Sequence, residues 1–424
     1  MIKKIIIVLI LLTCTLFSAD ATVEIVKKMD KLPKIALQDA SDVTINLAFR
    51  KRFFKILIGD LKVSSHFDVV DEYLASTFEG TVEENFLSSL HPDLILRYKI
   101  SIDADGEVIA QLKLINAKSG QIDNEKIYKI SQQTRYPFLA HKIAVELNNY
   151  IGAPSIKWME QFVIFSKYTG TKESEIVISD YTLSFQKIVV KGGLNIFPKW
   201  ANKSQDAFYY SSYNALKPTL YKVDVTTGKR TKIISSEGML VCSDVSSDGK
   251  TLVLTMAPHD QADIYTYNVE TKNLENITSY GGIDVNGNFI DNDKRIVFVS
   301  DRLGYPNIFA QAIGSNSVEQ MVYHGKNNNS ASALNNYIVY SSREKESEFG
   351  SRTFNLYLIS TKTDYIRQLT ATGRNLYPRF ADDGETVLFI KYYENQSALG
   401  VIRLNANKSY HFPLKVGKIQ SIDW

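Results

Sequence analysis

The 424-residue chain has only two cysteines, and one of them, Cys14, lies in a segment expected to be removed. Cys242 is then alone, so no internal disulfide can form and the fold must rest on packing. Cys242 sits in an apolar-periodic stretch and reads as a small buried hydrophobe. Excess charge of one sign is missing too. The net charge is +3 and no Lys/Arg cluster stands out, which argues against a nucleic-acid partner. Tryptophan is scarce, with 3 residues against 24 Tyr and 21 Phe, a balance that suits strands. No apolar run reaches the ~20 residues that span a bilayer. HExxH, CxxC, phosphate-loop and G-x-S-x-G patterns are all absent, so nothing calls for a metal, a cofactor or a catalytic nucleophile.

What the chain does have begins with a leader. Lys3 and Lys4 precede an apolar core from Ile5 to Leu12, and Ala19-Asp20-Ala21 offers a small-x-small cleavage site. Residues 1–21 are therefore expected to be a signal peptide, and the mature chain a soluble exported protein without membrane insertion. Leu12-Thr13 before Cys14 lacks the small residue of a lipoprotein site.

Residues 34–154 read as a small α/β domain. Lys34–Gln38 and Phe67–Val70 look like strands, and Phe53, Leu57 and Leu61 repeat at helical spacing within Ile45–Leu61. Leu94–Asp103 and Glu107–Ile115 alternate around Asp105-Gly106, a hairpin signal, and Glu125–Gln132 follows as a third strand. Leu139, Ile143, Leu147 and Ile151 form a second helical stripe, ended by Gly152 and Pro154. His66, His91 and His141 stand singly, and the domain reads as a packing unit with no visible site.

The remainder, residues 155–424, is one unit written repeatedly. Trp200, Val245, Phe289, Leu334, Phe380 and Trp424 close similar stretches at spacings of 45, 44, 45, 46 and 44. Each unit holds four strand-like segments, such as Ile296–Ser300, Asn307–Ala312, Glu319–Tyr323 and Ala331–Leu334. That pattern is the signature of a β-propeller. Asp248-Gly249 and Asp383-Gly384 read as tight turns, with Gly supplying positive φ and Asp bonding the local backbone. The repeats are out of phase with the chain ends. The fold expected is an N-terminal α/β domain followed by a six-bladed β-propeller, closed by the C-terminal strand against Phe162–Ser166.

Ser300-Asp301-Arg302-Leu303-Gly304-Tyr305-Pro306-Asn307-Ile308-Phe309 and Tyr377-Pro378-Arg379-Phe380-Ala381-Asp382-Asp383-Gly384 resemble the repeat of the TolB family, periplasmic components of the Tol-Pal system. Leu57-Ile58-Gly59-Asp60-Leu61 leading to Phe67-Asp68-Val69-Val70-Asp71 resembles that family's N-terminal domain, and the likeness runs through the whole mature chain. The resemblance implies a periplasmic, non-enzymatic protein, with roles in outer-membrane integrity and in constriction during cell division. It implies two partners, the inner-membrane-anchored TolA and the peptidoglycan-associated lipoprotein Pal, with other outer-membrane lipoproteins also open. TolA would be met by an N-terminal arm, residues 22–33, in which Thr22, Val23, Glu24, Ile25, Val26 and Lys27 could add as a strand to a partner sheet. Pal would be met at the propeller channel, by loops entering the inner strands. The candidates are Glu237 and Gly238; Gly281, Gly282, Ile283 and Asp284; Lys326 and Asn327; and Arg374 and Asn375. Two alternatives remain open: an exported propeller-associated hydrolase, and a peptidoglycan or sugar reader using platforms such as Tyr305 and Tyr377.

Overall fold

The computed structural model describes residues 31–81, 89–343 and 353–424. Pro33–Trp424 forms one compact unit. The expected signal peptide and nearly all of the N-terminal arm, including Thr22, Val23, Glu24, Ile25, Val26 and Lys27, lie outside the described residues.

The α/β part is a mixed sheet with two helices. Lys34–Asp39 runs parallel to Asp68–Val69, Leu74–Ala75 and Leu94–Ile102, and the sheet continues antiparallel through Val108–Asn116 and Ile122–Ile130. Alternate residues Leu94, Leu96, Tyr98 and Ile100 turn one face toward the helices Leu47–Ser64 and Tyr136–Tyr150, forming a single apolar core. The first helix starts two residues later than its apolar pattern suggests because Asn46 caps it, accepting from Ala48 N at 2.8 Å. The third hairpin strand begins at Ile122 rather than Glu125. Gly120 N donates to the Asn116 carbonyl at 2.9 Å, so the chain reverses quickly and re-enters the sheet early.

From Val163 onward every regular element among the described residues is a strand. Four separate sheets of four strands accompany one of eight, which is two sets of four joined by a single parallel bridge between Phe354 and Arg374. The first strands of these sets are Asn195–Trp200, Leu240–Val245, Asp284–Ile290, Lys326–Leu334 and Arg374–Phe380. A further strand, Lys418–Asp423, pairs antiparallel with Val163–Gly170, matching Ile422 to Phe165 and Asp423 to Ile164. It heads a sheet that continues through Glu173–Ser179 and Gln186–Val190. Five of the repeat-closing residues lie at or near the end of a first strand, and Trp424 directly follows the last.

Both Asp-Gly turns form as their chemistry requires. Asp248 accepts from Lys250 N at 2.9 Å ahead of Gly249 at φ 73°. Asp383 accepts from Glu385 N and Thr386 N, each at 2.9 Å, ahead of Gly384 at φ 68°.

Gly400 has a different reason. It lies directly across from the fully buried Phe389, and a Cβ there would collide with the Phe389 ring. Gly400→Ala is therefore expected to destabilise by ~1–3 kcal/mol through overpacking. A urea midpoint equal to that of the parent protein would contradict this.

Candidate protein-binding channel

Each first strand carries a bulge, where the register against its neighbour slips. At four of them a residue with a side chain is held in the left-handed region: Phe197 at φ 54°, Asn286 at 56°, Ser330 at 52° and Tyr377 at 53°. That conformation costs a non-glycine residue on the order of 1 kcal/mol or more, so the surrounding sheets must impose it.

The bulges surround a cavity of ≈ 400 Å³ at the end where the first strands begin. Its wall is largely apolar, with Met239, Val241, Val285 and Leu376 beside Phe197 and Tyr377. Its charges are Lys199, Arg374 and Arg379, and among the described residues no carboxylate lines it.

A second cavity of ≈ 210 Å³ opens at the other end of the same strands. It is lined by the residue just before each repeat-closing position: Lys199, Asp244, Asn288, Ala333, Arg379 and Asp423. These side chains form a charged constriction. Lys199 Nζ lies 3.1 Å from Asp244 and 3.0 Å from Asp423. Asp423 also accepts Trp200 N at 2.9 Å, and Asp244 accepts Phe289 N at 2.8 Å. Burial alone would lower the Lys199 pKa, yet Asp423 and Asp244 raise it, so the ammonium stays charged.

Large apolar side chains collect on the face around the first cavity. Met239, Ile283, Leu303, Tyr393, Tyr323 and Val416 are exposed there, the last two by 82% and 75%. All sit in loops that enter a first strand or leave a second. Patches of this kind mark docking surfaces.

The residues expected at the channel divide into four groups. Arg374 alone lines the cavity, exposed at its lip with its guanidinium 5.3 Å from the Tyr392 ring centroid. Glu237, Gly281 and Ile283 are exposed loop residues, and Glu237 pairs with Lys217. Gly238 abuts the Ala257 carbonyl, Gly282 abuts Asp301, and Asn327 is half-buried at φ 58° in the strand that Lys326 begins. Asp284 and Asn375 are fully buried and do structural work. Asp284 pairs with Arg302 at 3.1 Å, and Asn375 Nδ2 donates to the Phe354 carbonyl at 2.9 Å.

Sequence reasoning missed Lys199 and Arg379. Superposing the repeats on their closing residues would have found them, since both hold the same position in their units. Tyr377, one of the two candidate stacking platforms, sits at a bulge, lines the cavity and packs against the apolar cluster that includes Trp158 and Ile422.

A second correction concerns His141, which is not isolated. Its Nδ1 lies 2.8 Å from Asp60 and its Nε2 3.3 Å from Asp180, with all three side chains fully buried. Tyr181 donates to the other oxygen of Asp60. Asp60 belongs to the Leu47–Ser64 helix, and Asp180 and Tyr181 follow the strand Glu173–Ser179, so the cluster joins the α/β part to the strand-built part. Burial would lower the His141 pKa, but the two carboxylates outweigh it and raise it to about 10. His66, also expected to stand alone, has its Nδ1 2.6 Å from Asn148 Oδ1.

The architecture defines the class: an α/β domain followed by a β-propeller. The TolB beta propeller domain matches residues 160–424. The chain is 54% identical to the Tol-Pal system protein TolB of Wolinella succinogenes, over 97% of each chain. It is 47% identical to that of Campylobacter jejuni over 100% of each, and 44% identical to that of Helicobacter hepaticus over 98% and 99%. The crystal structure of TolB from Acinetobacter baumannii superposes with a TM-score of 0.73, covering 93% of this chain and 97% of that one at 19% identity. The chain belongs to the TolB family of the Tol-Pal system, a system of the cell envelope. Among the described residues no helix is long and apolar enough to cross a membrane.

Proposed function

We propose that this chain is a periplasmic, non-enzymatic scaffold that links TolA at the inner membrane to the lipoprotein Pal, for outer-membrane integrity and constriction during division. Residues 1–21 are the signal peptide, 22–33 the TolA-binding arm, 34–154 the α/β domain and 155–424 the propeller. The propeller has six blades, closed by the C-terminal strand. Two observations support that geometry. Lys418–Asp423 pairs with Val163–Gly170, and the six first strands touch one another in cyclic order.

The observation that carries the functional reading is the apolar face around the ≈ 400 Å³ cavity. It lies at the opposite ends of the strands from the Asp180–Phe185 turn, where the α/β part packs, so a partner could reach it unhindered. Pal, or a related outer-membrane lipoprotein, would seat there, engaging the loops that contain Glu237, Ile283, Lys326 and Arg374. Chain contacts also connect the channel to the α/β part. Trp424 follows Asp423 and lies 5.4 Å from Trp158, which lies 5.1 Å from Tyr181, the donor to Asp60. A ligand that biases one end of such a packed route can bias the other, by ~1–3 kcal/mol.

Calorimetric titration tests the assignment. Deleting residues 22–33 is expected to abolish TolA binding and leave Pal binding intact. Unchanged TolA binding would remove the arm assignment, and failure of the intact chain to bind Pal would remove the scaffold reading.

A further inference from the structure

We propose that the cavity at the open end of the channel is a carboxylate-accepting cup, which reads one acidic side chain on an apolar docking loop of the partner. This rests on the reading of that face as the lipoprotein-binding face. The cup has three cations, Lys199, Arg374 and Arg379, and no lining carboxylate among the described residues. Asp244 and Asp423, the partners of Lys199, line only the cavity on the far side of the constriction.

The cations are not equally committed. Lys199 is held between Asp244 and Asp423, both within 3.1 Å. Arg379 is not held in this way. Its Nε is buried and has no acceptor, and the nearest Asp423 oxygen is 3.8 Å away. Its Nη1 reaches Asn288 Oδ1 only at 3.4 Å. A guanidinium has five donors in a rigid fork, and leaving buried donors unpaired is costly. A carboxylate entering from the open end would give the fork an acceptor and a counter-charge closer than Asp423. The neighbouring Leu376, Val285 and Phe197 would take an apolar residue beside it, and Arg374 at the lip would guide the anion in.

The test is calorimetric titration of the mature chain with the soluble domain of its lipoprotein partner. Arg379→Gln is expected to weaken binding about 10- to 100-fold, as for a lost hydrogen-bonded ion pair, and Arg379→Lys to recover part of the loss. Arg374→Gln, at an exposed side chain that leaves the buried ring untouched, is expected to weaken it about two- to fivefold. Replacing the partner's acidic residues singly should reveal one whose loss matches that of Arg379→Gln and does not add to it. Unchanged affinity in a folded Arg379→Gln protein, or no partner residue coupled to Arg379, overturns the cup while leaving the scaffold reading in place. No binding by the intact chain overturns both.

Discussion

Removal of Gln420–Trp424 is expected to abolish cooperative folding of the strand-built part. The segment contributes most of the strand that pairs with Val163–Gly170. Ile422, 1% exposed, packs in the same apolar cluster as Phe165, Trp158 and Leu399. Losing a buried residue of this size costs ~2–5 kcal/mol. Deletion also takes Asp423 from Lys199 and from Trp200 N, leaving a buried ammonium with one partner instead of two. Losing one hydrogen bond to a charged group costs a further ~1.5–3 kcal/mol. Together these approach the ~5–15 kcal/mol that stabilises a whole domain. Calorimetry of the truncated chain should show a lost or broadened transition, and a melting temperature equal to that of the full chain would contradict the expectation.

The second large effect is expected at His141. Replacing it with Gln leaves Asp60 and Asp180 facing one another without a cation, at a cost of ~3–5 kcal/mol. The pH dependence has a definite sign. The folded pKa is raised to about 10 from an ordinary 6.5, so the folded state holds the proton more tightly. The stabilisation is complete below about pH 6.5 and is lost as pH climbs toward 10. Asp60, raised chiefly by burial, acts on the acid side, where its own contribution fades as pH rises above the ordinary carboxyl value. Chemical denaturation at pH 6.5, 8 and 9.5 should show falling stability in the parent protein and a flatter profile in His141→Gln. Parallel profiles would show that the cluster does not stabilise through the imidazolium.

The periodic features of this fold are legible in the sequence because their causes are local. Asp-Gly turns need only their own backbone, the Leu139–Ile151 stripe is a matter of spacing, and strand alternation shows within a few residues. The pairing of the last strand with Val163–Gly170 could also be anticipated, since the phase of the repeats at each chain end can be counted. What stayed hidden depends on distant residues. His141 meets Asp60 and Asp180 across 81 and 39 residues, and no local pattern announces either contact. The first-strand bulges break the two-residue alternation, which is why the Ala331–Leu334 segment proved to be the end of a longer strand, Lys326–Leu334. Asp284 and Asn375 looked like loop polar groups because sequence does not reveal that Arg302 and the Phe354 carbonyl wait to bind them. Lys199 and Arg379 fall between those extremes, visible only once the repeats are superposed.

The central claim, that the face where the first strands begin receives a lipoprotein partner, is tested most directly by hydrogen exchange. The mature chain would be measured with and without the soluble domain of Pal from the same cell. The account predicts slowed exchange in the loops around Met239, Ile283, Tyr323 and Arg374, and little change in the Asp-Gly turns at the opposite ends of the strands. Protection confined to those turns or to the α/β helices, with the channel loops unchanged, would contradict it.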